Sequence, residues 1–293
     1  MNKNKNENSF DAATSLTYYI FSDVHGEYDA LQRALKKSGY NPKDKNSYLV
    51  SLGDAFDRGV QSFEVLKWMV ENIHAHKLLA VCGNHELRFQ ELMENPTQYH
   101  RESDGLCNGV IQTMMSFCHM DKVNVPLVKE SAAKIALDMS YSLSFFCDLV
   151  HLMPSNISMM LAEYFYNLEW GFQNKDYILV HGWFAHKGGL YITPETSVWA
   201  NTPECIKAKD YPADGRKLII GHFATETLKE AYEANIMRSS LHTCEDFISL
   251  CETFECDKFI ALDGSTNASG KVNIYVLKTN EPLTPIKYDK TQN

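Results

Sequence analysis

The sequence predicts an α/β domain that carries a helical insert, and three observations predict it. Short apolar runs of strand length recur along the chain, at residues 16–21, 48–52, 78–82, 177–180, 218–220, 259–262 and 272–277. Amphipathic stretches of helical period separate the first three of these runs. A long segment between the third and the fourth run has no strand-like pattern. Strands that alternate with helices are typical of α/β domains.

The two stretches between the first three runs each have one apolar face. Between residues 27 and 38, Tyr28, Leu31 and Leu35 fall on the same side of a helix, and residues 62–73 show the same period. The apolar runs themselves are short and rich in β-branched or aromatic residues, which is typical of buried strands. The first part of the chain is therefore predicted to form two strand–helix units and a third strand.

Residues from about 91 to 174 form the strand-poor segment. This segment is rich in Met, Phe, Tyr and Leu at helical spacing, which usually marks helix faces that pack in a core. We predict an all-helical cap or insert within a single domain at residues 15–283, with flexible tails at 1–14 and 284–293. The insert either covers the functional site or packs only on the outer face of the domain, and the pattern leaves both arrangements open.

Charge and apolar pattern exclude several kinds of partner. The chain has 293 residues, with 28 Lys and Arg against 37 Asp and Glu, so its formal charge is −9. An acidic chain lacks the broad basic field that binds a nucleic acid duplex or an anionic membrane. No run approaches the ~20 apolar residues that span a bilayer, and the polar start is unlike a secretory signal. We expect a cytoplasmic protein with reduced cysteines, and the oligomeric state stays open.

Polar side chains directly follow five of the predicted strands. Because strands of an α/β sheet present their carboxyl ends at one edge, the residues that follow them are brought together. Six oxygen or imidazole donors are enough for two divalent ions if one carboxylate bridges them. A donor set without thiolate favours Mn, Fe or Zn in a catalytic role over a structural Cys-type zinc site. In chain order, the six donors are Asp23, His25, Asp54, Asn84, His181 and His222.

Each of these short patterns also has a purely structural explanation. A Gly-Asn or His-Gly pair after a strand often forms only a turn, and Asp-x-His can be a helix cap followed by a surface histidine. The combination is more specific, because GDAFDRG at residues 53–59 precedes GNHE at residues 83–86. Asp23 and Asp54 are 31 residues apart, and Asp54 and Asn84 are 30 apart, which matches two strand–helix units. We therefore interpret the set as a metal site.

These motifs resemble those of the calcineurin-like metallophosphoesterases, and within them the bacterial branch of the phosphoprotein phosphatase group. The resemblance extends over about residues 18–277 and is strongest in the N-terminal part of that span. It includes NGVIQT at residues 108–113, which is similar to a helix of bacterial members. The resemblance implies a four-layer α/β sandwich, in which two mixed β-sheets are flanked by helices. It also implies hydrolysis of phosphoesters by direct attack of a hydroxide that bridges two metal ions.

The resemblance further implies which residues bind the metals. Two divalent ions are expected, Mn²⁺ first, with Fe or Zn as alternatives. Asp23 and His25 match the ligands of the first ion, and Asp54 matches the carboxylate that bridges both. The remaining ligands of the second ion are Asn84, His181 and His222.

The resemblance assigns the chemistry and the phosphate contacts to neighbouring residues. His85 matches the catalytic histidine that gives a proton to the leaving group, and Asp57 matches its carboxylate partner. Arg58 and Asn84 match residues that contact the substrate phosphate. A planar guanidinium suits two phosphate oxygens, and a histidine of near-neutral pKa suits proton transfer.

One position departs from the family pattern where a phosphate contact is expected. Bacterial relatives often carry W-x-R where this chain has Trp199-Ala200-Asn201, and that Arg is a second phosphate-binding residue. Asn201 carries no charge, and the loss of one charge-assisted contact weakens binding by roughly 1.5–3 kcal/mol. Another cation can substitute, and the candidates are Arg88, Arg101, Lys187 and Arg216.

Three functional hypotheses follow. The first is a metal-dependent phosphomonoesterase, with Ser/Thr protein phosphatase chemistry, whose substrate is a phosphorylated protein or a small phosphoester. The second is a nucleotide or dinucleotide polyphosphate hydrolase, which the same metals and His85 would serve equally well. The third is a non-catalytic metal-binding scaffold. The third is disfavoured because every matched ligand and His85 are present.

Overall fold

Two β-sheets form the centre of the structure, a computed structural model that describes residues 15–95, 106–119, 139–232 and 250–288. The N-terminal part alternates strand and helix as predicted. Its elements are β1 (Leu16–Phe21), α1 (Tyr28–Ser38), β2 (Ser47–Ser51), α2 (Ser62–His74), β3 (Leu78–Val81) and α3 (Asn84–Glu94).

The segment predicted to be all-helical also contains two short strands. Its elements are a π-helical turn (Leu106–Val110), α4 (Ile111–Phe117), α5 (Met139–Leu152), α6 (Ser155–Tyr166), β4 (Leu168–Glu169) and β5 (Phe172–Gln173). The all-helical prediction is therefore wrong at its C-terminal end. Each of these strands has only two residues, which is too short for an alternating pattern to show in the sequence.

The rest of the chain builds most of the second sheet and its covering helices, and it adds one strand, β10, to the first sheet. Its elements are β6 (Tyr177–Leu179), α7 (Pro194–Ser197), α8 (Thr202–Ala208), β7 (Lys217–Ile220), α9 (Thr225–Tyr232), β8 (Phe254–Glu255), β9 (Phe259–Ala261), α10 (Thr266–Ser269), β10 (Tyr275–Thr279) and β11 (Thr284–Pro285).

Both sheets are mixed. The first has the order β10-β1-β2-β3-β4, in which β1 to β4 are parallel and β10 is antiparallel to β1. The second has the order β11-β5-β6-β7-β9-β8, in which β6, β7 and β9 are parallel. The parallel strands of each sheet therefore end at one edge, which is where their following loops meet.

The four layers of the predicted sandwich follow from the alternation of side chains along the strands. Tyr18 and Ile20 of β1 belong to the apolar core between the two sheets, together with Leu179 and Ile219. Successive residues of a strand face opposite sides, so Phe21 packs instead in the cluster under the outer helices. The predicted α/β fold with two mixed sheets flanked by helices is confirmed.

Helices cover the outer face of each sheet. The first sheet is covered by α1, α2, α4, α5 and α6, whose buried side chains form one cluster, and the second by α8 and α9, where Ile206 and Leu228 pack with Leu218. The described helices of the insert thus belong to the outer layer of the first sheet. Their buried members include Met114, Phe117, Phe146, Leu149, Ile157, Leu161 and Tyr164.

The predicted C-terminal tail, residues 284–293, begins too early in the chain. The tail was expected from residue 284, but Thr284 and Pro285 form β11, which pairs with Phe172 and Gln173 of β5. Ile286 then packs against the cluster under the second sheet. The last predicted strand also begins later than expected, at Tyr275. The residues before it form a loop in which the side-chain amide of Asn273 donates to the carbonyls of Cys251 and Leu262.

No single helix within the described residues is long and apolar enough to cross a membrane. Residues Leu143–Leu152 of α5 and Ser155–Tyr166 of α6 reach that length and composition only as a pair, and the pair is bent by 103°.

Candidate metal centre

The loops after the parallel strands bring all nine predicted site residues to one place. Those from the first sheet follow β1, β2 and β3, and those from the second follow β6 and β7. Seven of the nine residues are buried, and Arg58 and His222 are half-buried. The nine residues are Asp23, His25, Asp54, Asp57, Arg58, Asn84, His85, His181 and His222.

A single carboxylate lies between two groups of imidazoles. Asp54 Oδ2 is 3.8 Å from both His25 Nε2 and His85 Nε2, and Asp54 Oδ1 is 3.4 Å from His181 Nε2. Two sets of three ligand atoms therefore share Asp54. One is His25, Asp54 and His85, the other is Asp54, His181 and His222, and within each set the atoms lie within 4.8 Å of one another.

The two remaining predicted ligands adjoin these sets. Asp23 Oδ1 is 3.8 Å from His25 Nε2, and Asp23 Oδ2 accepts the backbone N–H of His222 at 3.0 Å. Asn84 Oδ1 lies 2.8 Å from His181 Nε2 and 2.9 Å from His222 Nδ1. All six donors predicted from the strand ends are thus within reach of a pair of ions that shares Asp54.

Backbone carbonyls orient two of the imidazoles. His25 Nδ1 donates to the carbonyl of Phe56 at 2.9 Å, and His181 Nδ1 donates to that of Leu52 at 2.8 Å. Each ring therefore directs Nε2 towards Asp54. Metal-binding histidines are commonly held in this way by a hydrogen bond at the other ring nitrogen.

The fourth imidazole of the centre, that of His85, belongs to a His–Asp pair. His85 Nδ1 donates to Asp57 Oδ2 at 2.6 Å, and both side chains are buried. Arg58 reaches across the same space, with Nη1 3.0 Å from His25 Nε2 and Nη2 3.2 Å from His85 Nε2. The guanidinium fork of Arg58 thus lies between a predicted ligand and the predicted acid.

Burial and neighbouring charges shift the pKa values of three groups in the direction that favours cation binding. Burial, followed by a neighbouring imidazole, lowers the pKa of His25 to about 3 and that of His222 to about 3, so both are neutral ligands at pH 7. Burial would raise the pKa of Asp54, but His181 and His85 outweigh it, so the pKa lies well below its usual range and the carboxylate is anionic. An anionic carboxylate with two neutral imidazoles nearby is a donor set that attracts a divalent ion.

Two other imidazoles have raised pKa values. Burial lowers the pKa of both, but the carboxylates around each ring, Asp54 first, together more than compensate. The pKa of His181 rises to about 10, and that of His85 rises with Asp57 as a further cause. A cation bound at Asp54 would take the place of the proton on His181, because both satisfy the same carboxylate.

Strained backbone is concentrated at this centre. Six of the nine residues have φ between 47° and 69°, the left-handed region that costs non-glycine residues about 1–3 kcal/mol each. Such strain persists only where the surrounding structure enforces it, and it is common at active sites. The six are Asp23, His25, Asp54, Asp57, Arg58 and His222.

A family model described as calcineurin-like phosphoesterase matches residues 16–225. The match covers more than half of the chain and includes every residue of the centre. The chain belongs to the calcineurin-like phosphoesterase family. The phosphoesterase fold implies divalent metal ions, and the cluster of carboxylate and imidazole donors around Asp54 is compatible with them.

Several relatives are similar to this phosphoesterase over part of its length. The symmetrical bis(5'-nucleosyl)-tetraphosphatase of Chromobacterium violaceum is 31% identical over 87 residues, which is 30% of each chain. Serine/threonine-protein phosphatase 2 of Escherichia coli K12 is 36% identical over 76 residues, or 26% of this chain and 32% of the relative. The matches therefore span about a third of the length of these relatives.

A solved structure shows a more distant similarity. The cold-active protein-tyrosine phosphatase of a psychrophilic Shewanella species aligns with a TM-score of 0.44 at 17% identity, over 90% of this chain and 76% of that one. The family assignment rests on the family model alone.

Glu86, which is not among the residues predicted from the sequence, orients the loop that carries the shared carboxylate of the phosphoesterase. Its carboxylate accepts the backbone N–H groups of Asp54 at 2.8 Å, Ala55 at 2.7 Å and Gly83 at 3.0 Å, and the hydroxyl of Tyr164 donates to it at 3.3 Å. The sequence feature that could have indicated this role is the position of Glu86 as the third residue of α3, where Glu commonly binds the N-cap N–H.

Two residues of the NGVIQT segment contact Asp57 and Arg58. Thr113 Oγ1 donates to Asp57 Oδ1 and accepts the Asp57 backbone N–H, both at 2.8 Å, and Asn108 Oδ1 accepts from Arg58 Nε at 3.3 Å. Gly109 is required here, because its φ is +105° and a Cβ would lie 2.0 Å from Arg58 N. The insert thus contributes side chains to the centre and also packs as an outer layer.

Asp263 is a further buried carboxylate at the same edge. It follows β9 and accepts the backbone N–H of Ser265 at 2.8 Å. Burial raises the pKa of Asp263, and burial followed by the charge of Asp263 raises that of Asp23. The rule that functional residues follow parallel strands would have found Asp263, because the preceding strand was predicted.

The four cations proposed to replace an Arg at position 201 have different surroundings. The backbone N–H of Asn201 donates to the Tyr191 hydroxyl at 2.6 Å, and Asn201 is the N-cap residue that precedes α8. Arg101 lies outside the described residues, and Lys187 is exposed. Arg216 binds Asp214 and Gln173. The guanidinium of Arg88 lies 4.6 Å above the ring of Trp199.

Proposed function

We propose that this phosphoesterase is a phosphomonoesterase that uses two divalent ions. One observation carries the proposal: Asp54 is shared by two imidazole sets, and a buried His85–Asp57 pair lies directly beside it. A bridging carboxylate next to a proton donor is the arrangement needed to attack a phosphoester and to protonate its leaving group.

The donor set fits the ions that the fold implies. Carboxylate, amide and neutral imidazole donors without thiolate suit Mn²⁺, Fe or Zn, and Mn²⁺ is our first choice. When bound, two such ions would activate a water molecule and offset the negative charge of the phosphoryl oxygens. Asp23 and His25 would hold one ion, Asn84, His181 and His222 the other, and Asp54 both.

The protein groups around the ions would orient the substrate and move its proton. Arg58 presents a planar fork that fits two phosphate oxygens. His85 Nε2 points into the same space, so a protonated His85 would donate to the leaving oxygen as its bond to phosphorus breaks. Asp57 holds His85 through Nδ1 and stabilises its charged form.

For the natural substrate we propose a phosphorylated Ser or Thr side chain. The segment after His181 exposes Leu190, 55% accessible, and Ile192, 68% accessible, and a bound peptide can cover apolar side chains of this kind. A nucleoside polyphosphate is the second candidate, and the name of the Chromobacterium violaceum relative favours it. The same phosphoryl chemistry serves both substrates.

Stripping and restoring the metal tests the proposal. We expect chelated protein to lose hydrolysis of a generic aryl phosphate, and Mn²⁺ to restore it at two ions per chain. A panel of phosphoserine and phosphothreonine peptides, mononucleotides and dinucleotide tetraphosphates should then rank the substrates by kcat/KM, with the peptides highest.

The panel also separates the alternatives. A dinucleotide tetraphosphate that exceeds every peptide would support the second candidate. Mn²⁺-loaded protein that hydrolyses nothing in the panel would contradict the enzyme proposal and support a metal-binding scaffold.

Replacing Thr113 with Val should slow turnover without changing metal content. The substitution keeps the shape of the side chain but removes both hydrogen bonds to Asp57, so the carboxylate that holds His85 loses its orientation. Disrupting a supporting contact of this kind typically costs about 10–100-fold in activity. Steady-state kinetics and metal analysis of the loaded variant check this expectation.

Ser116→Ala is the matched control. It removes a hydroxyl that is equally buried on α4 and that accepts the backbone N–H of Phe63 at 3.0 Å, away from Asp57. We expect it to lower thermal stability but to leave kcat within about twofold of wild type. An equal loss of kcat in both variants would mean that the helix, and not the Thr113–Asp57 contact, matters.

A further inference from the structure

A cavity that is separate from the metal centre opens beside α1. Its volume is about 440 Å³, which lies in the range of ligand-binding pockets, and none of the nine residues of the centre lines it. One wall is formed by α1, where the small side chains of Ala30 and Ala34 leave space. The other is formed by residues 270–276, which lead into β10. The cavity is therefore a second place at which this protein can bind a ligand.

The backbone around this cavity is held by the core and by hydrogen bonds. Ala30 and Val272, which lie in its lining, belong to the apolar cluster under the helices that cover the first sheet. In the second wall, the side-chain amide of Asn273 donates to the carbonyls of Cys251 and Leu262, at 2.9 and 3.0 Å. The positions that carry the charged side chains of the cavity are therefore fixed relative to one another.

Cations outnumber acids in the described lining of the cavity. Arg33 and Lys37 line it from α1 and Lys271 from the second wall, whereas Glu252 is the single acid. Lys271 is paired with Glu252 at 2.5 Å. The side chains of Arg33 and Lys37 form no hydrogen bond and no ion pair with any residue that the structure describes. In a chain of formal charge −9, the cavity is thus a local positive field.

The dipole of α1 does not explain both of its cations in this cavity. A cation stabilises the C-terminal end of a helix within the last turn, where Lys36 and Lys37 lie, but Arg33 lies a turn earlier. Arg33 and Lys37 are four residues apart and therefore share a face of α1, where like charges repel each other. An anion bound beside both side chains would relieve this repulsion.

The spacing of the two cations fits an extended acidic chain. Four residues advance a helix by about 6 Å, and side chains two residues apart on a strand are separated by about 6.6 Å on one face. We propose that the cavity is a docking site for an acidic segment of a partner protein, in which two carboxylates at alternate positions bind Arg33 and Lys37. The inference goes beyond the proposed function, because no residue of the metal centre takes part in it.

Binding of fluorescein-labelled peptides, followed by fluorescence anisotropy, tests this site without requiring turnover. One peptide alternates Glu and Ala, a second has the same number of Glu residues spaced four apart, and a third has Gln in place of Glu. We expect the alternating peptide to bind most tightly and the Gln peptide to show no binding. Added salt should weaken the binding, because exposed charge pairs are screened.

Removing both cations of α1 should weaken binding of the alternating peptide. For Arg33→Gln/Lys37→Gln we expect a loss of about 5–30-fold, which corresponds to two exposed charge pairs. Lys36→Gln/Lys43→Gln is the matched control, because it removes two exposed lysines near the same end of α1 that do not line the cavity. It should bind the peptide within twofold of wild type. The melting temperature of both double variants is measured alongside.

Three results would overturn the inference. They are a wild type that binds the acidic and the Gln peptides alike, an Arg33→Gln/Lys37→Gln variant that binds within twofold of wild type, and a control variant that loses as much affinity as the cavity variant. Free glutamate that displaces the peptide at an equal concentration would also overturn it, because the cavity would then bind a small anion and not a peptide segment.

The docking site and the proposed function fail in different ways. Hydrolysis of an aryl phosphate should be unchanged in Arg33→Gln/Lys37→Gln. A protein that hydrolyses no phosphoester, but binds the acidic peptide through these two residues, would refute the proposed function and leave the docking site standing. A protein that hydrolyses phosphoesters, but binds no acidic peptide, would refute the docking site alone.

Discussion

Replacing His85 with Asn should lower kcat by about 10²–10⁴-fold while two metal ions remain bound. Asn cannot transfer a proton at neutral pH, and a positioned acid typically contributes this factor. Asp57, which is hydrogen-bonded to His85 Nδ1 at 2.6 Å, favours the protonated ring, and that is the form that can give a proton to the leaving oxygen. Steady-state kinetics and metal analysis of the same preparation check both parts.

Comparing substrates with different leaving groups makes this test more specific. A nitrophenolate leaves without help from an acid, whereas the alkoxide of a phosphoserine peptide needs a proton. We expect His85→Asn to lose far less activity towards a nitrophenyl phosphate than towards a phosphopeptide. An equal loss with both substrates would contradict the role of His85 as the acid.

A second role for His85, as a metal ligand, is compatible with the structure, and metal analysis of the variant distinguishes the two roles. His85 Nε2 belongs to the set with His25 and Asp54, so His85 could instead be a ligand. Loss of one ion in His85→Asn would support that role, with Asp23 less important than predicted. His186→Asn is the matched control, since it removes another histidine paired with a carboxylate, Asp210 at 2.8 Å, and should change neither kcat nor metal content.

The predicted ligands could be identified from the sequence because the end of a strand is a local feature. Asp23, Asp54 and Asn84 each follow an apolar run, and parallel strands place such residues together whatever the intervening helices do. The supporting residues were harder to predict. Thr113 contacts Asp57 across 56 residues, and nothing in its helical pattern distinguishes a buried hydroxyl that binds a carboxylate from one that packs.

The errors in the predicted fold also arise from contacts between residues that are far apart in the sequence. The strands β4, β5 and β11 have two residues each, so a period of two cannot be seen in them, and they form only because a neighbouring strand supplies partners. The pairing of Thr284 and Pro285 with β5 spans more than a hundred residues, and local propensity carries no information about it. Long, regular segments such as α1 and α2 were predicted almost to the residue.

Replacing Asp54 with Asn should have the largest effect of any single substitution in this protein. Asp54 is the carboxylate common to both ligand sets, and His181 and His85 hold it in the anionic form. An amide removes the charge that offsets two divalent ions, yet keeps the size and the Oδ1 acceptor for the His85 backbone N–H. We expect at most one ion per chain and a fall in kcat of more than about a thousandfold.

Thermal stability gives a second measure of the same loss. A ligand that binds only the folded state stabilises it in proportion to its affinity, so Mn²⁺ should raise the Tm of wild type and raise that of Asp54→Asn much less. Asp263→Asn is the matched control, because Asp263 is also a buried carboxylate at this edge but belongs to neither ligand set. If both variants lose metal equally, the requirement is for negative charge at this edge and not for a carboxylate shared between two ions.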